Sequence, residues 1–345
     1  MRNFDRKLFK KNEKNQLLRL IGLSIFIFIL TKIDFQKIKD IIPSIRLPFL
    51  LAAVIFALFP VAIKAYRWHI LLKSQQINYS FKNAFIAYLS SVFAGTITPG
   101  KLGELIKVFY IRKAADISFG KAFSSVIIDR ILDLFFLLLF SLIGILYFYT
   151  YREHIAISVI LISSCMLIMI FLLHKNLRNL IVNLLLKLTI KRYKTEMKIQ
   201  TEEFLEGLEI VNRIQFLSPI FWTLIAYLMY FFNCFLISKS LNMPVSFIYL
   251  SFCMSITVTL VLLPVSIAGI GVRDASLIFL LWQVGISKEI ALTYSFLFLV
   301  FINITAGLAG LFAWFKMPLD FRSEFLNHSK EGNQNDGNRK ILDSE

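Results

Sequence analysis

Three short stretches of this chain place charged side chains and helix-breaking residues inside otherwise apolar sequence. They read TPGKLGELIK (98–107), SVIIDRILDLFF (125–136) and LLPVSIAGIGVRDAS (262–276). Arginine and lysine in such places can bind a phosphate or carboxylate group, and the start of a helix supplies further amide donors. The three stretches therefore predict an anion-binding site within an apolar part of the molecule.

The first stretch predicts a helix break. Pro99 removes an amide donor, and Gly100 and Gly103 lower the stability of a helix. Backbone groups that are freed in hydrocarbon are costly unless protein or water surrounds them. We therefore expect the break to line a cavity, to which Lys101 and Lys107 add charge and toward which a helix restarting near Gly103 points its amide donors. A cytoplasmic loop between two short spans is an equally open interpretation of this motif.

The second stretch predicts a group of charges inside a helix. Asp129 and Asp133 share one helix face, and Arg130 and Asp133 are spaced as an ion pair. Ionisable residues inside a span are costly and usually face the interior of a bundle. We interpret them as a cluster that supports the cavity more than it contacts a substrate, because it can neutralise itself. Lys64 and Arg67 end a span and are expected only to extend toward the membrane surface.

The third stretch combines tight turns with a charged pair. Gly269 and Gly271 permit such turns, and Arg273 can fork onto a phosphate or carboxylate. Asp274 could balance Arg273 or cap the helix that follows. A local ion pair in an outer-surface turn is the alternative. The functional interpretation is favoured because this stretch repeats the order of the first: an apolar run with Tyr-Leu-Ser, a proline (Pro264), glycine and charges.

Composition identifies the class of protein. Of the 345 residues, 57% are hydrophobic and only 17% are charged, against about 25% charged residues in average globular chains. The net charge of +16 then indicates cytoplasmic loops and anionic lipid rather than nucleic acid. The three cysteines, Cys165, Cys234 and Cys253, lie in apolar segments and suggest neither a disulfide framework nor a metal site. No nucleotide, metalloprotease or hydrolase motif occurs, so we expect no cofactor and no catalytic residues.

The apolar segments predict an all-α polytopic membrane protein. The re-entrant segments 81–113 and 246–284 would be broken helices in an inverted repeat. Basic residues precede the first span and fill 174–213, so both termini should be cytoplasmic in the cell (inner) membrane. The loop 31–46 would then lie outside, although it is also basic. The predicted spans are 17–33, 47–67, 122–149, 154–173, 217–238 and 289–315.

Three regions of different character follow from the same pattern. Residues 1–16 form a basic cytoplasmic N-terminus, and residues 17–315 form the transmembrane domain. Within that domain, 174–213 has apolar positions at helical spacing and predicts two amphipathic helices on the cytoplasmic membrane face. The polar tail 316–345 is predicted to be disordered.

The motifs TPGKLGELIKVFYIRK, SSVIIDRILDL and LLPVSIAGIGVRDASLIFLL resemble the three signature blocks of the lysylphosphatidylglycerol synthase transmembrane-region family. The resemblance covers about residues 15 to 315, and Asp129 and Asp274 stand where that family often has glutamate. It implies a flippase-like fold with re-entrant helices from both faces and a lipid substrate with a charged headgroup. The motif positions that carry over are Pro99, Gly100, Gly103, Glu104, Asp129, Arg130, Asp133, Pro264, Gly269, Gly271, Arg273 and Asp274.

The resemblance suggests two functions. In the first, the protein translocates an aminoacyl-phosphatidylglycerol, another phospholipid or a polyprenyl phosphate, with Arg273, Lys101 and Lys107 holding the phosphate. Glu104 and the charges at 129–133 would shape the cavity or pair with an amine. In the second, it is a membrane partner that presents lipid to a separate glycosyltransferase or lipid synthase. Only about 30 polar residues follow the apolar part, so we expect no aminoacyl transfer; a homo-oligomer is compatible with either function.

Overall fold

The computed structural model describes residues 27–31, 34–148, short runs between 160 and 180, 194–212, 214–266 and 268–319. The described residues are helical, with no strand among them. The predicted segment 1–16, most of the predicted segments 17–33, 154–173 and 174–193, Cys165 and the tail from 320 lie outside them. The helices are α1 Phe35–Ile41, α2 Leu47–Phe56, α3 Phe59–Ser74, α4 Phe81–Ile97, α5 Lys107–Ala115, α6 Phe119–Phe148, α7 Lys194–Leu208, α8 Leu217–Ser240, α9 Phe247–Val261, α10 Val272–Trp282, α11 Lys288–Phe298 and α12 Thr305–Lys316.

Three helical segments among the described residues are long and apolar enough to cross a membrane. They are Leu47–Ser74, Ile214–Ser240 and Lys288–Lys316, of 28, 27 and 29 residues. At 1.5 Å per residue each measures about 40 Å, which exceeds the roughly 30 Å of bilayer hydrocarbon. They correspond to the predicted spans 47–67, 217–238 and 289–315, and the 30-residue helix α6 corresponds to 122–149. The prediction of an all-α membrane protein is thus confirmed.

Two of these segments are interrupted without being broken. Between α2 and α3, Ala57 and Leu58 leave the regular helix, and Pro60 occupies the first turn of α3. Between α11 and α12 the residues Leu299–Ile304 form a π-helix, a local widening that often marks functional positions.

The first broken segment, α4 to α5, enters and leaves at one end of the bundle; we call residues 81–115 the first hairpin. Before it, Gln75 Nε2 donates to the Gly207 carbonyl of α7 at 2.8 Å. After it, the Gly120 amide donates to Gln200 Oε1 of α7 at 2.8 Å. Both ends therefore lie beside α7, and we call this end of the bundle the α7 face.

The second broken segment, α9 to α10, lies at the opposite end; residues 247–282 are the second hairpin. At its start, the Arg46 amide donates to the Ser240 carbonyl at 2.8 Å, and Asn242 Nδ2 donates to the Ser44 carbonyl at 3.4 Å. At its other end, α11 packs against α1. Because α2–α3 runs from Leu47 on this face to Ser74 on the α7 face, the hairpins enter from opposite sides.

The tips of the two hairpins meet. A Cβ at Gly100 would lie 3.0 Å from the Leu262 carbonyl oxygen and 3.8 Å from Pro264 Cβ. The predicted pair of re-entrant segments therefore meets at Gly100 of the first hairpin and at Leu262 and Pro264 of the second.

Local structure repeats at the start of each hairpin. Gln76 (φ 59°) and Asn242 (φ 53°) both adopt the left-handed conformation, four residues before an N-cap serine. Those serines are Ser80, which accepts from the amide of Asn83, and Ser246, which accepts from Tyr249. This register indicates a real repeat. It also shows that the Tyr-Leu-Ser match was wrong, because the motif begins eight residues after the first cap and three after the second.

The repeat continues where each hairpin ends. Asp116 (φ 47°) and Gly285 (φ 79°) both have positive φ two residues before a serine. Ser118 then accepts from the amide of Lys121 at 3.2 Å, and Ser287 from that of Ile290 at 3.3 Å. Each hairpin and the helix after it thus form one structural unit, which occurs twice in opposite orientation.

Candidate functional site

Seven ionisable side chains from α3, the first hairpin and α6 lie together and form what we call the ion cluster. Arg67 lies seven residues before the end of α3, and Asp129 ten residues after the start of α6. At 1.5 Å per residue these positions are about 10 and 15 Å from the α7 face, within the apolar depth of the bundle. The members are Lys64, Arg67, Glu104, Lys107, Asp129, Arg130 and Asp133.

The centre of the ion cluster is fully buried. Arg67, Lys107 and Asp129 each have 0% side-chain exposure. Arg67 Nε donates to Asp129 Oδ1 at 3.1 Å, and Lys107 Nζ donates to Asp129 Oδ2. Lys107 also lies over the ring of Tyr88, 4.1 Å from its centroid. The Asp129 carboxylate thus pairs with two buried cations, and the Tyr88 ring adds a cation–π contact for Lys107.

The prediction that Lys64 and Arg67 only extend to the membrane surface was wrong. Arg67 Nη1 donates to Asp133 Oδ1 at 2.8 Å, and Lys64 Nζ lies 3.0 Å from the same oxygen. Both cations turn inward because α6 presents two carboxylates at matching height, and an unpaired carboxylate there would cost more than burying its partner. The three-residue spacing of these cations, on one helix face, was the available sequence signal.

The ion cluster has one accessible edge. Side-chain exposure is 21% for Lys64, 23% for Arg130, 13% for Asp133 and 9% for Glu104. Arg130 Nη2 lies 3.3 Å from Asp133 Oδ2, which confirms the predicted pair, and also contacts Glu104 Oε2. The predicted common face of the two α6 aspartates is confirmed as well, since Arg67 donates to both.

The tip of the first hairpin (98–106) has the predicted break. Gly100 (φ 61°) and Lys101 (φ 57°) are both left-handed and kink the 3₁₀ stretch that spans residues 99–106. Thr98 compensates for the break, because its hydroxyl accepts from the Gly103 amide at 2.7 Å and donates to the Ala94 carbonyl at 2.8 Å. The α-helix restarts at Lys107, four residues later than predicted, because the 3₁₀ stretch comes first.

Lys101 differs from the other cations of the first hairpin. Its side chain is exposed at the tip, and the ammonium group has no ionic or hydrogen-bonding partner among the residues described. A left-handed backbone conformation is higher in energy for a lysine than for a glycine. The strained position therefore holds a free ammonium beside the contact between the tips.

The second hairpin holds its own charged pair. Arg273 Nη2 donates to Asp274 Oδ1 at 3.1 Å, and Arg273 Nε donates to Ser295 Oγ of α11 at 2.7 Å. Asp274 Oδ2 accepts from the amide of Gly271, the N-cap of α10, at 2.8 Å. Asp274 thus does both things predicted for it. The glycines at 269 and 271 have φ of 76° and 83°, as tight turns require.

The predicted site residues thus fall into three groups. Glu104, Lys107, Asp129, Arg130 and Asp133 belong to the ion cluster. The tips bring together Pro99, Gly100 and Pro264, with Lys101 and Gly103 beside them, while Gly269, Gly271, Arg273 and Asp274 form the turn of the second hairpin.

Sequence reasoning missed a polar face on α8. Thr223 Oγ1 accepts from Arg67 Nη1 at 3.0 Å, and the Tyr227 hydroxyl donates to the Asp133 carbonyl at 2.9 Å. Lys64 Nζ lies 4.7 Å from the centroid of the Tyr227 ring. The two residues are four apart and so share one helix face, a signal that apolar surroundings concealed.

Comparison with known proteins gives the family. The family model described as the lysylphosphatidylglycerol synthase TM region matches residues 17–310. The UPF0104 membrane protein MJ1595 of Methanocaldococcus jannaschii is 26% identical over 285 residues, 78% of this chain and 84% of that protein. The UPF0104 membrane protein PH1989 of Pyrococcus horikoshii is 31% identical over 163 residues, 46% of this chain and 49% of that protein. No solved structure matches the chain significantly. With its two opposed hairpins and its match over nearly all of the apolar sequence, this membrane protein belongs to the lysylphosphatidylglycerol synthase transmembrane-region family.

Proposed function

We propose that this protein binds a lipid with a phosphate-bearing headgroup and moves it across the membrane, without chemistry of its own. Membership of a family named for a lipid synthase supports a lipid-related role. The two hairpins that meet tip to tip support translocation, because broken helices from opposite faces commonly form transport sites near the midplane.

The ion cluster is the observation that carries this proposal. Ionisable side chains inside a membrane bundle are costly and are typical of substrate pathways. A purely structural cluster would be expected to be sealed, whereas Lys64 and Arg130 remain 21% and 23% exposed. A headgroup phosphate that reaches this edge would find both an ammonium and a guanidinium, the groups that bind phosphate best.

We further propose that the α7 face is cytoplasmic and the protein lies in the cell (inner) membrane. Basic residues accompany both ends of the first hairpin, namely Lys73, Lys82, Arg112, Lys113 and Lys121. Lysine and arginine concentrate in cytoplasmic loops. The ion cluster would then open toward the inner leaflet, where anionic lipids are abundant.

The roles first expected for Lys107 and Arg273 change in this proposal. Both are nearly or fully buried against an aspartate, at 0% and 4% side-chain exposure. The accessible cations, Lys64, Arg130 and Lys101, are therefore the proposed phosphate contacts. Direct contact between Arg273 and a headgroup stays a prediction, and it requires the pair with Asp274 to open.

The test is lipid movement in reconstituted liposomes. Fluorescent phosphatidylglycerol, lysyl-phosphatidylglycerol and a polyprenyl phosphate are placed in the inner leaflet, and an external quencher reports their arrival outside. We expect one of them to move quickly with the wild type. Lys64→Gln should slow that movement about tenfold, the effect of losing roughly one charge-assisted hydrogen bond.

Lys73→Gln is the matched control, because Lys73 is an exposed cation on the same helix outside the ion cluster. Equal rates for wild type and Lys64→Gln would contradict the assignment of this edge. If folded protein moves none of the lipids, the alternative of a membrane partner that presents lipid to a separate glycosyltransferase or lipid synthase becomes the better explanation.

A further inference from the structure

We propose that the headgroup selected by the ion cluster carries net negative charge, as a phosphate ester without an amine, rather than an aminoacylated phosphate. This inference rests on the function proposed above and names the substrate class within it. Three observations carry it: the charge balance of the cluster, the donors left unpaired at its edge, and the occupation of every carboxylate.

The charge balance of the cluster is positive. Four cations (Lys64, Arg67, Lys107 and Arg130) face three carboxylates (Glu104, Asp129 and Asp133). An excess positive charge at this depth is relieved either by loss of a lysine proton or by an anion. Arginine does not lose its proton in proteins, and Arg130 already pairs with Glu104 and Asp133. The excess therefore falls on the lysines, of which Lys64 shares its only carboxylate oxygen with Arg67 and lies at the accessible edge, where an anion can reach it.

Unpaired donors are found at the accessible edge and directly beneath it. The hydrogen bond and ion pairs of the partly exposed Arg130 guanidinium involve Nη2, while its Nε is buried beneath the edge with no partner among the residues described. Lys64 has three N–H donors but a single carboxylate oxygen, which it shares with Arg67. Phosphate oxygens accept such donors, and a buried donor without an acceptor is otherwise costly. The edge thus lacks one acceptor group of the charge and geometry that a phosphate has.

Among the described residues, every carboxylate of the cluster already pairs with a cation of the protein, so an amine finds no free acidic partner. Asp129 forms ion pairs with Arg67 and Lys107. Asp133 forms ion pairs with Arg67, Lys64 and Arg130, and Glu104 forms one with Arg130. A lysyl headgroup would bring two ammonium groups to a cluster that already has a cation too many. Exposed Lys101 at the nearby tip adds one more positive charge. The lysyl group would therefore have to displace a cation of the protein before it could bind.

The experiment measures binding separately from transport. Full-length protein in nanodiscs of neutral lipid is titrated at fixed pH and salt with short-chain phosphatidylglycerol, short-chain lysyl-phosphatidylglycerol and a polyprenyl monophosphate. Inorganic phosphate is the fourth probe and distinguishes a lipid site from a free-anion site. We expect both anionic lipids to bind at least about tenfold more tightly than the lysyl lipid, a difference of one charge-assisted contact. Phosphate alone should compete weakly, because it has no acyl chain to bury.

Charge variants of Lys64 test whether the excess positive charge of the cluster causes the preference for anionic lipid. Lys64→Glu turns the excess of the cluster from positive to negative and should abolish or reverse the preference, whereas Lys73→Glu on the same helix should leave it unchanged. If Lys64→Glu does not fold, Lys64→Gln makes the cluster neutral and should weaken phosphatidylglycerol binding about tenfold without weakening binding of the lysyl lipid.

The outcomes separate this inference from the proposed function. Tighter binding of lysyl-phosphatidylglycerol than of phosphatidylglycerol, or equal binding, overturns the inference and leaves lipid binding intact. Failure of all three lipids to bind overturns the proposed function together with it. Competition by inorganic phosphate as strong as that by phosphatidylglycerol overturns the lipid as the source of the anion.

Discussion

Removing the central carboxylate of the ion cluster should strongly destabilise the protein. We expect Asp129→Asn to cost about 3–5 kcal/mol in the free energy of unfolding, the range for breaking a buried ion pair. Asp129 is fully buried and serves two fully buried cations, Arg67 and Lys107. Asparagine has the same size, so no cavity forms, and its carbonyl keeps one hydrogen bond. The cost is therefore that of the charge, since Lys107 has no other carboxylate within ion-pair distance among the described residues.

The assay is unfolding of the purified protein in mixed micelles by titration with SDS, followed by loss of tertiary signal. Asp116→Asn is the matched control. Asp116 is exposed and left-handed at φ 47°, a conformation that asparagine tolerates. The same chemical change should there alter the free energy of unfolding by less than about 0.5 kcal/mol.

A double-mutant cycle gives the result that would refute the reasoning. Adding Lys107→Met to Asp129→Asn removes the cation that the first substitution leaves without a carboxylate, while Arg67 keeps its bond to Asp133. Methionine can also replace the contact of Lys107 with the Tyr88 ring. The two costs should therefore be coupled by about 0.5–3 kcal/mol, in the direction of rescue. A cost below about 1 kcal/mol for Asp129→Asn, or strictly additive costs in the cycle, would contradict a buried network held together by ion pairs.

The other predictions concern packing and the repeat. Gly103→Ala should cost about 1–3 kcal/mol through overpacking, because its Cβ would lie 2.2 Å from the Ala94 carbonyl oxygen; a melting temperature within error of wild type would refute the close contact. Gly285→Ala, which has nothing within 4 Å but φ of +79°, should cost only about 1–2 kcal/mol of backbone strain and serves for comparison. Ser80→Ala and Ser246→Ala should each cost about 1 kcal/mol as lost N-caps; clearly unequal costs by SDS titration would argue against equivalent positions in the repeat.

Much of the fold was predictable because the bilayer restricts it. Apolar length alone gives the spans at 47–67, 217–238 and 289–315, since only a closed helix satisfies its backbone in lipid. Pro99 and Pro264 within apolar sequence predicted the two broken segments, and charge bias predicted their opposite entry. The correct register of the repeat could not be predicted from the residue types alone. It depends on left-handed residues and serine caps, such as Gln76 and Ser80, whose conformations are seen only in three dimensions.

The sequence predicted most of the individual site residues, but it did not predict which of them come together. The α6 aspartates and Arg130 were identified from spacing within one helix. Their partners Lys64 and Arg67 lie some sixty residues earlier, and a cation near a helix end has the same sequence pattern whether it turns inward or outward. Only packing of α3 against α6 decides between the two. The expected role of Lys107 depended similarly on burial that sequence does not report.

The two hairpins are held in different ways, and the difference bears on where recognition lies. In the first hairpin, Glu104 and Lys107 pair with charges on α6, so ion pairs tie its returning arm to a neighbouring helix. In the second, Arg273 pairs within its own hairpin and reaches α11 through the hydroxyl of Ser295. An anion that competes for Arg130 would therefore act on the first hairpin and leave the second unaffected. Since Lys101 also belongs to the first hairpin, the accessible cations of the tip and of the ion cluster both act on this one element.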